Sequence, residues 1–388
     1  MVDRCGERER TTVGSLSDRP GGIGELRIAV AGGGAAGLTA AAALNVRGRP
    51  CRVYERRRAG GPTGMAIVLS AEAVADLASA GLSLGPLGVE LHRYRSYHPD
   101  GVPRDVLDIP AGWRGLSRAE LVDALYRQSP PNAVVHGAEL ATLELDGEGA
   151  IIDARLATGQ AVRADLYVAA DGAHSLARRR LYPDWPERPA RVSELVGIVY
   201  CPPISEWAGN DLHKFHVPGV SIGILSVGGG NVGWFMQFDC ERFAPPSDIA
   251  EARREFAHRM VGGWADPVPE LLRATDFALT HVCRPIDADL VPRFYSGNLV
   301  LLGDAAHPLL PFTSQGLGAA IAGARDLTAV LDEADSVPAA LASYSAACRS
   351  RCVPFINQGR ELTRAFLTEG PHAASVLPLA VPSVAGSR

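Results

Sequence analysis

Residues 28–55 read IAVAGGGAAGLTAAAALNVRGRPCRVYE. Ile28, Ala29 and Val30 form a short apolar run of strand type, which breaks into Gly32-Gly33-Gly34-Ala35-Ala36-Gly37 before an Ala/Leu-rich run. Cys51 to Tyr54 read as a second strand, and Glu55 closes it 18 residues beyond Gly37. The order is strand, glycine turn, helix, strand. In a βαβ unit of this kind Gly32 permits the tight turn, Gly34 lets the backbone approach a pyrophosphate, and Gly37 lets helix and strand pack closely. The helix N-terminus, with Ala35 and Ala36, presents unpaired N–H groups to the anion. Glu55 suits ribose hydroxyls and would repel a 2′-phosphate, which favours FAD or NAD over NADP in this unit. Arg56 follows directly and is placed with the nucleotide contacts.

The chain has 388 residues, 21% of them charged, and a formal charge of −5. That length predicts two or three domains, and the charge advertises neither a nucleic-acid nor a membrane partner. Ile28 to Val46 is an uncharged run of 19 residues, but it is broken by glycines and reads as a buried strand and helix, not a membrane span. Residues 1–24 carry mixed charges without the apolar core of a signal peptide, and read as a disordered N-terminal arm or a start-site extension. The seven cysteines are odd in number and scattered, which argues against a disulfide framework and for a reducing cytoplasm. Cys348 and Cys352 fall on one face of a helix and read as packed thiols. His213 and His216 lack the spacing of a helical metal pair, so no metal is predicted.

After Arg56-Arg57-Arg58 and a loop at Ala59–Gly64, Ser70 caps a helix that stops near Gly81. Alternation from Val89 to Asp108 around Pro99-Asp100-Gly101 predicts a hairpin. Ser117 starts another helix, with Arg118 in its first turn, where the helix dipole disfavours a cation unless an anion lies nearby. Runs at 133–145 and 150–156 predict a strand pair, and Leu166–Ala170 a buried strand ending in Asp171-Gly172. An acid and a glycine at the carboxyl end of such a strand are ligand contacts in α/β sheets.

Four motifs then resemble one family. Asp171-Gly172-Ala173-His174-Ser175-Leu176-Ala177-Arg178 is similar to the DGxxSxxR motif of the single-component FAD-dependent monooxygenases, which share the para-hydroxybenzoate hydroxylase fold. Gly303-Asp304, after the strand Asn298–Leu302, resembles the family's GD motif, and Pro311 with Gln315-Gly316 follows at the family's spacing. Arg118 and Leu121 match its RxxL. The resemblance spans roughly residues 26–330.

It implies an α/β protein: a Rossmann-like FAD-binding domain, an interleaved antiparallel substrate domain, and C-terminal helices. The FAD-binding parts would be residues 25–88, 109–184 and 291–333. The substrate parts would be the hairpin 89–108 and residues 185–290, with a C-terminal helix and tail at 334–388. Gly32, Gly34 and Gly37 would cradle the FAD pyrophosphate, Glu55 the adenosine ribose, and Arg118 and Asp304 the phosphates and ribitol. Asp171 and Arg178 would serve both FAD and NAD(P)H. The helix starting near Gln315, with Gly316 and Leu317, would point its amides at the flavin, a suitable place for a positive dipole end. Pro311 would lie beside the flavin, after Gly303-Asp304.

One segment departs from the family pattern: Ser314-Gln315-Gly316-Leu317-Gly318 stands where GQGxN is usual. Alternating and apolar runs at Val196–Tyr200, His213–Val217, Ile222–Val227 and Val232–Phe238 predict the sheet that would roof the flavin. Tyr200, His216, Trp234, Gln237, His281 and Arg284 are the candidate substrate contacts, with His216 and His281 as candidate bases for a phenol. Helices are expected over Asp248–Val261, 318–333 and 337–367.

By this resemblance NAD(P)H would reduce FAD, and O2 would reach an electron-rich, aromatic or polyketide-like small molecule through a flavin C4a-hydroperoxide, in hydroxylation or epoxidation. Natural-product tailoring by a cytoplasmic monomer or homodimer would fit. Two alternatives share the fold: a non-redox cyclase that keeps FAD as a structural element, and a flavin-dependent halogenase. The halogenase's Trp-x-Trp-x-Ile-Pro motif is absent, and Lys214, the only lysine, falls in the substrate sheet.

Overall fold

A computed structural model of the chain describes residues 26–368 apart from 59–64, 84, 86 and 131. The expected N-terminal arm, the Ala59–Gly64 loop and the tail beyond residue 368 lie outside the described residues. Two sheets dominate. Their elements, in chain order, are β1 (Ile28–Ala31), α1 (Ala35–Val46), β2 (Cys51–Glu55), β3 (Arg93–Tyr97), β4 (Pro103–Asp108), α2 (Arg118–Gln128), β5 (Val134–His136), β6 (Leu166–Ala169), α3 (Leu176–Leu181), β7 (Val192–Tyr200), β8 (Asp211–Val217), β9 (Val220–Gly228), β10 (Asn231–Asp239), β11 (His281–Cys283), β12 (Tyr295–Ser296), β13 (Leu299–Leu301), α4 (Gly316–Glu333) and α5 (Val337–Leu367).

The first sheet has the order β12-β13-β6-β1-β2-β5, parallel except for the edge strand β12. Every residue of β1 and of β6 is buried, as expected for central parallel strands covered on both faces. Helix α1 is alanine-rich because it is enclosed almost all round: Ala40 to Leu44 are 0% exposed. Gly32, Gly34, Glu55, Asp171, Gly303 and Asp304 follow or close the carboxyl ends of β1, β2, β6 and β13, on one side of this sheet, while Gly37 lies in α1 and Gly316 opens α4.

The run 133–145 is not one strand. Gly137, at φ +69°, breaks it into β5, which joins the parallel sheet beside β2, and a separate strand Leu140–Leu145, which pairs with Ile151–Leu156. The expected hairpin does form from β3 and β4, and β3 adds parallel to β8. It thereby extends the second sheet, whose order is β11-β7-β10-β9-β8-β3-β4.

Register decides which side chains of that second sheet face where. Leu195, Phe215, Ile222, Trp234, Met236 and Phe238 form one face, packed on Phe256 and Leu271 of the helices Ala250–Val261 and Val268–Ala274. The other face turns toward the first sheet's loops, where Phe235 packs with Ala66 and Val68 and Val192 with Phe312. Both faces are covered, so these strands read as nearly continuous apolar runs.

Candidate functional site

The cofactor side begins at the glycine turn. Gly32 has φ +103°, and a Cβ there would stand 2.2 Å from the Ala170 carbonyl oxygen; one on Gly37 would stand 2.0 Å from that of Gly32. Only glycine fits these two positions. Gly34 differs: the nearest atom to a Cβ there is Arg118 Nη2 at 3.6 Å, so its backbone borders open space. Ala35 is buried in the start of α1, and Ala36 meets Gly303, whose φ of +62° lets the Gly303–Ala305 turn close on α1.

Glu55 folds back over this turn. One carboxylate oxygen accepts from the Gly33 N–H at 2.6 Å and the other from the Arg57 N–H at 2.7 Å. A cleft of about 1070 Å³ opens beside it, lined by Gly32, Gly34, Glu55, Arg56, Arg118 and Asp171 among others. Asp171 Oδ2 accepts from the Leu176 N–H at 2.8 Å, while Oδ1 is buried without a partner among the described residues.

Arg118 resolves its own oddity. Burial, and then Arg57, depress its pKa, and its guanidinium makes no hydrogen bond or ion pair among the described residues. A half-buried cation that lines the cleft beside a glycine turn and the open N-terminus of α1 suits a diphosphate, so the residues present fit the adenylate and pyrophosphate half of FAD.

Asp304 lies on the wall of the same interior. Protein surrounds it densely enough to raise its carboxyl pKa against the pull of His307, Arg118 and Arg178, yet the side chain keeps exposed surface. A Cβ on Gly316, the first residue of α4, would come within 4.0 Å of Asp304 Oδ1, and no side chain caps that helix. Gln315 Nε2 is likewise buried and unpaired among the described residues, and Leu317 packs on the α1 side. Pro311 opens a turn over 311–313, closed by Ser314 at φ +52°. Uncapped amides, an acid and a free amide group converge here, a donor and acceptor set suited to ribitol and a flavin edge.

Arg178 is placed otherwise. It is 2% exposed, pairs with Glu187 at 2.6 Å, and donates to the carbonyl oxygens of Asp304 and Ala305 at 2.9 Å and of Ala173. Its guanidinium clamps the two acid-bearing loops together and does not line the cleft.

The candidate substrate residues scatter. Trp234 is on the helix-packed face, edge-on to Phe277 and 1% exposed, so it belongs to the core. Tyr200 is at the far end of β7 and 70% exposed. Arg284 turns outward to the Pro246 carbonyl and Asp248. Gln237, His216 and His281 share the opposite face of the sheet, the one that meets Phe312. Burial, followed by nearby arginines including Arg57 and Arg118, lowers the pKa of His281. Burial, then Lys214, takes His216 down to about 3, and its Nε2 has no partner among the described residues.

Register also assembles a polar row: Cys283, Glu194, Gln237, Ser221 and His216 stand opposite one another across β11, β7, β10, β9 and β8. Sequence reasoning missed Glu194 and Cys283 and left Lys214 without a role. The available signals were a lone acid in the otherwise uncharged strand Val192–Tyr200 and the chain's only lysine in Asp211–Val217. Away from the cleft lining, Cys348 and Cys352 do share a face of α5 and meet His307, with their donor atoms all within 4.8 Å.

The family described as FAD binding domain matches residues 25–356. A 3-amino-4-hydroxybenzoate 2-monooxygenase of Streptomyces platensis is 32% identical over 371 residues, covering 89% of this chain and 90% of that one. An FAD-dependent urate hydroxylase of Klebsiella pneumoniae is 29% identical over 367 residues, covering 89% and 94%. The solved structure of Klebsiella pneumoniae HpxO with FAD and uric acid superposes with a TM-score of 0.79 at 25% identity, over 89% and 90% of the two chains. No helix among the described residues is long and apolar enough to cross a membrane. On these grounds the chain belongs to the FAD-dependent monooxygenases of the para-hydroxybenzoate hydroxylase fold, and is an FAD-binding oxidoreductase.

Proposed function

We propose that the chain uses NAD(P)H and O2 to hydroxylate an electron-rich aromatic small molecule, with benzoate-like and urate-like compounds as the first candidates, in a reducing cytoplasm. The observation that carries this reading is the convergence of Asp304, Gln315 and the uncapped start of α4 beneath a sheet face that bears Gln237 and His216. The isoalloxazine of bound FAD supplies the redox chemistry and the activation of oxygen.

The chain's own share is positional. Gly32, Gly34, Gly37 and Arg118 hold the diphosphate, Glu55 the adenosine ribose, and Asp171 and Asp304 offer acceptors to the remaining hydroxyls. The uncapped amides of Gly316 and Leu317 would offer hydrogen-bond donors to the flavin and favour negative charge on it. Phe235 and Phe312 exclude water from the substrate side. Burial that takes His216 down to about 3 leaves it a weak base, so it offers a neutral hydrogen-bonding ring rather than the phenol-deprotonating base expected from the sequence, and His281, also lowered by burial, borders the cofactor side.

The test is anaerobic: the reconstituted protein is mixed with NADH or NADPH with and without aromatic candidates, and the oxidised-flavin band is followed. Bleaching that one candidate accelerates supports the reading. Turnover of a substrate without NAD(P)H or O2 would move the assignment to a non-redox cyclase.

A further inference from the structure

Lys214 stands in the middle of the second sheet with only 6% of its surface exposed. Its Nζ donates to Gln237 Oε1 at 2.7 Å, and no other acceptor among the described residues takes its two remaining N–H groups. Gln237 is fixed in turn: Ser221 Oγ donates to the same Oε1 at 3.1 Å, and Gln237 Nε2 donates to Glu194 Oε1 at 2.7 Å. Around the ammonium stand Phe312, Phe235 and Phe366, with ring centroids 5.7, 5.9 and 5.9 Å away. A ring face offsets part of the cost of desolvating an ammonium. Burying the ion costs several kcal/mol, so the rings alone do not balance it.

The nearest acid is not a direct partner. The Gln237 amide separates Glu194 from Nζ, and burial raises the pKa of Glu194 against the opposing pull of Gln237 and Lys214. The other ionisable groups on this face add no negative charge: burial pushes the Cys283 thiol up to about 12, and His216 is neutral with Arg104 and His98 beyond it. Burial brings Lys214 down to about 8, which leaves it mostly protonated at neutral pH. The face therefore carries a cation with unused donors, boxed by aromatic rings and turned toward the 311–313 turn.

We infer that Lys214, braced by Gln237 and Glu194, is an acid-recognising subsite that takes the carboxylate of an aromatic substrate whose ring lies among Phe235, Phe312 and Phe366. This rests on the reading of the pocket as a hydroxylase's substrate site, and narrows it from aromatic molecules to aromatic acids. Gln237 acts through Lys214, as a positioning residue: its amide aims the ammonium and keeps Glu194 from neutralising it.

The experiment uses the full chain reconstituted with FAD. Benzoate, 4-hydroxybenzoate and 3-amino-4-hydroxybenzoate, each paired with its methyl ester, are titrated into the oxidised protein by calorimetry. At least one acid binds about 10- to 100-fold tighter than its ester, the range of one charge-assisted hydrogen bond. Lys214→Met removes that difference while leaving the ester's affinity, and Lys214→Arg restores part of it. Acids and esters that bind alike in every pair, no binding by any acid, or equal weakening of acid and ester by Lys214→Met overturns the subsite. If Lys214→Met does not fold, the acid-to-ester ratio of the native protein decides alone. Reduction by NADPH is measured on the same sample. Acid discrimination without reduction breaks the hydroxylase reading and keeps the subsite, whereas reduction without discrimination does the reverse.

Discussion

The two sides of the site are built on different principles. The cofactor side is made of backbone: glycines that tolerate no Cβ, open helix starts, and acids fixed at strand ends by main-chain N–H groups. The substrate side is made of side chains that meet only because five strands lie in one register. A local sequence motif can encode the first, because its parts lie within a few residues of each other. The second is a long-range property, to which each strand contributes one residue.

The sharpest way to break this contrast is to attack the backbone side. Gly37→Val would drive a Cβ into the Gly32 carbonyl, and is expected to abolish FAD retention, read as loss of the flavin band after gel filtration. Next come Arg178 and Trp234, which are structural here. Arg178→Met strands Glu187 and three carbonyl oxygens and is expected to cost about 3–5 kcal/mol in urea unfolding. Trp234→Ala is expected to cost about the same, 3–5 kcal/mol, by opening a cavity on the helix-packed face.

Arg118 should behave in the opposite way. Arg118→Met removes a half-buried cation that has no side-chain partner among the described residues, so the FAD-free protein is expected to keep or gain stability. FAD affinity should fall about 10- to 100-fold, as for loss of a charged hydrogen bond.

The smallest effect concerns protonation. Burial depresses His213 to about 4 and His216 to about 3, against 6.5 for a free histidine. Because the unfolded chain takes up these protons first, stability is fully present above pH 6.5 and is lost as pH falls toward those values. The slope approaches about 1.4 kcal/mol per pH unit for each histidine. Unfolding midpoints of His216→Gln against the native protein from pH 7 to 5 should diverge in that sense. Parallel curves would place His216 in contact with water.

Much of the fold was legible in the sequence because its parallel core announces itself. The β1–α1–β2 unit, Ser70 and Ser117 as caps, the four long strands of the second sheet and both C-terminal helices stand where the patterns put them. The charge conflict at Arg118 left a nearby anion and a solvated arginine evenly balanced, and its location beside Gly34, without a side-chain partner among the described residues, favours the anion. Illegible was the facing of the second sheet. With helices on one side and the cofactor loops on the other, both faces are apolar, so alternation could not separate Trp234 from Gln237. Glu194 stayed hidden for the same reason: a lone acid in β7 acquires meaning only when Gln237 and Lys214 arrive from two other strands. Arg178 shows the opposite limit, since a motif position can survive as a clamp between loops without touching the cleft.

If the FAD-type cleft and the polar sheet face form one oxygenating site, an atom of O2 must end in the aromatic acid. The most direct test is to supply ¹⁸O₂ to the reconstituted protein with NADPH and the aromatic acid that binds best, and to weigh the product. One ¹⁸O atom per product molecule is the result this account predicts. Complete consumption of NADPH with unlabelled, unchanged acid would contradict it.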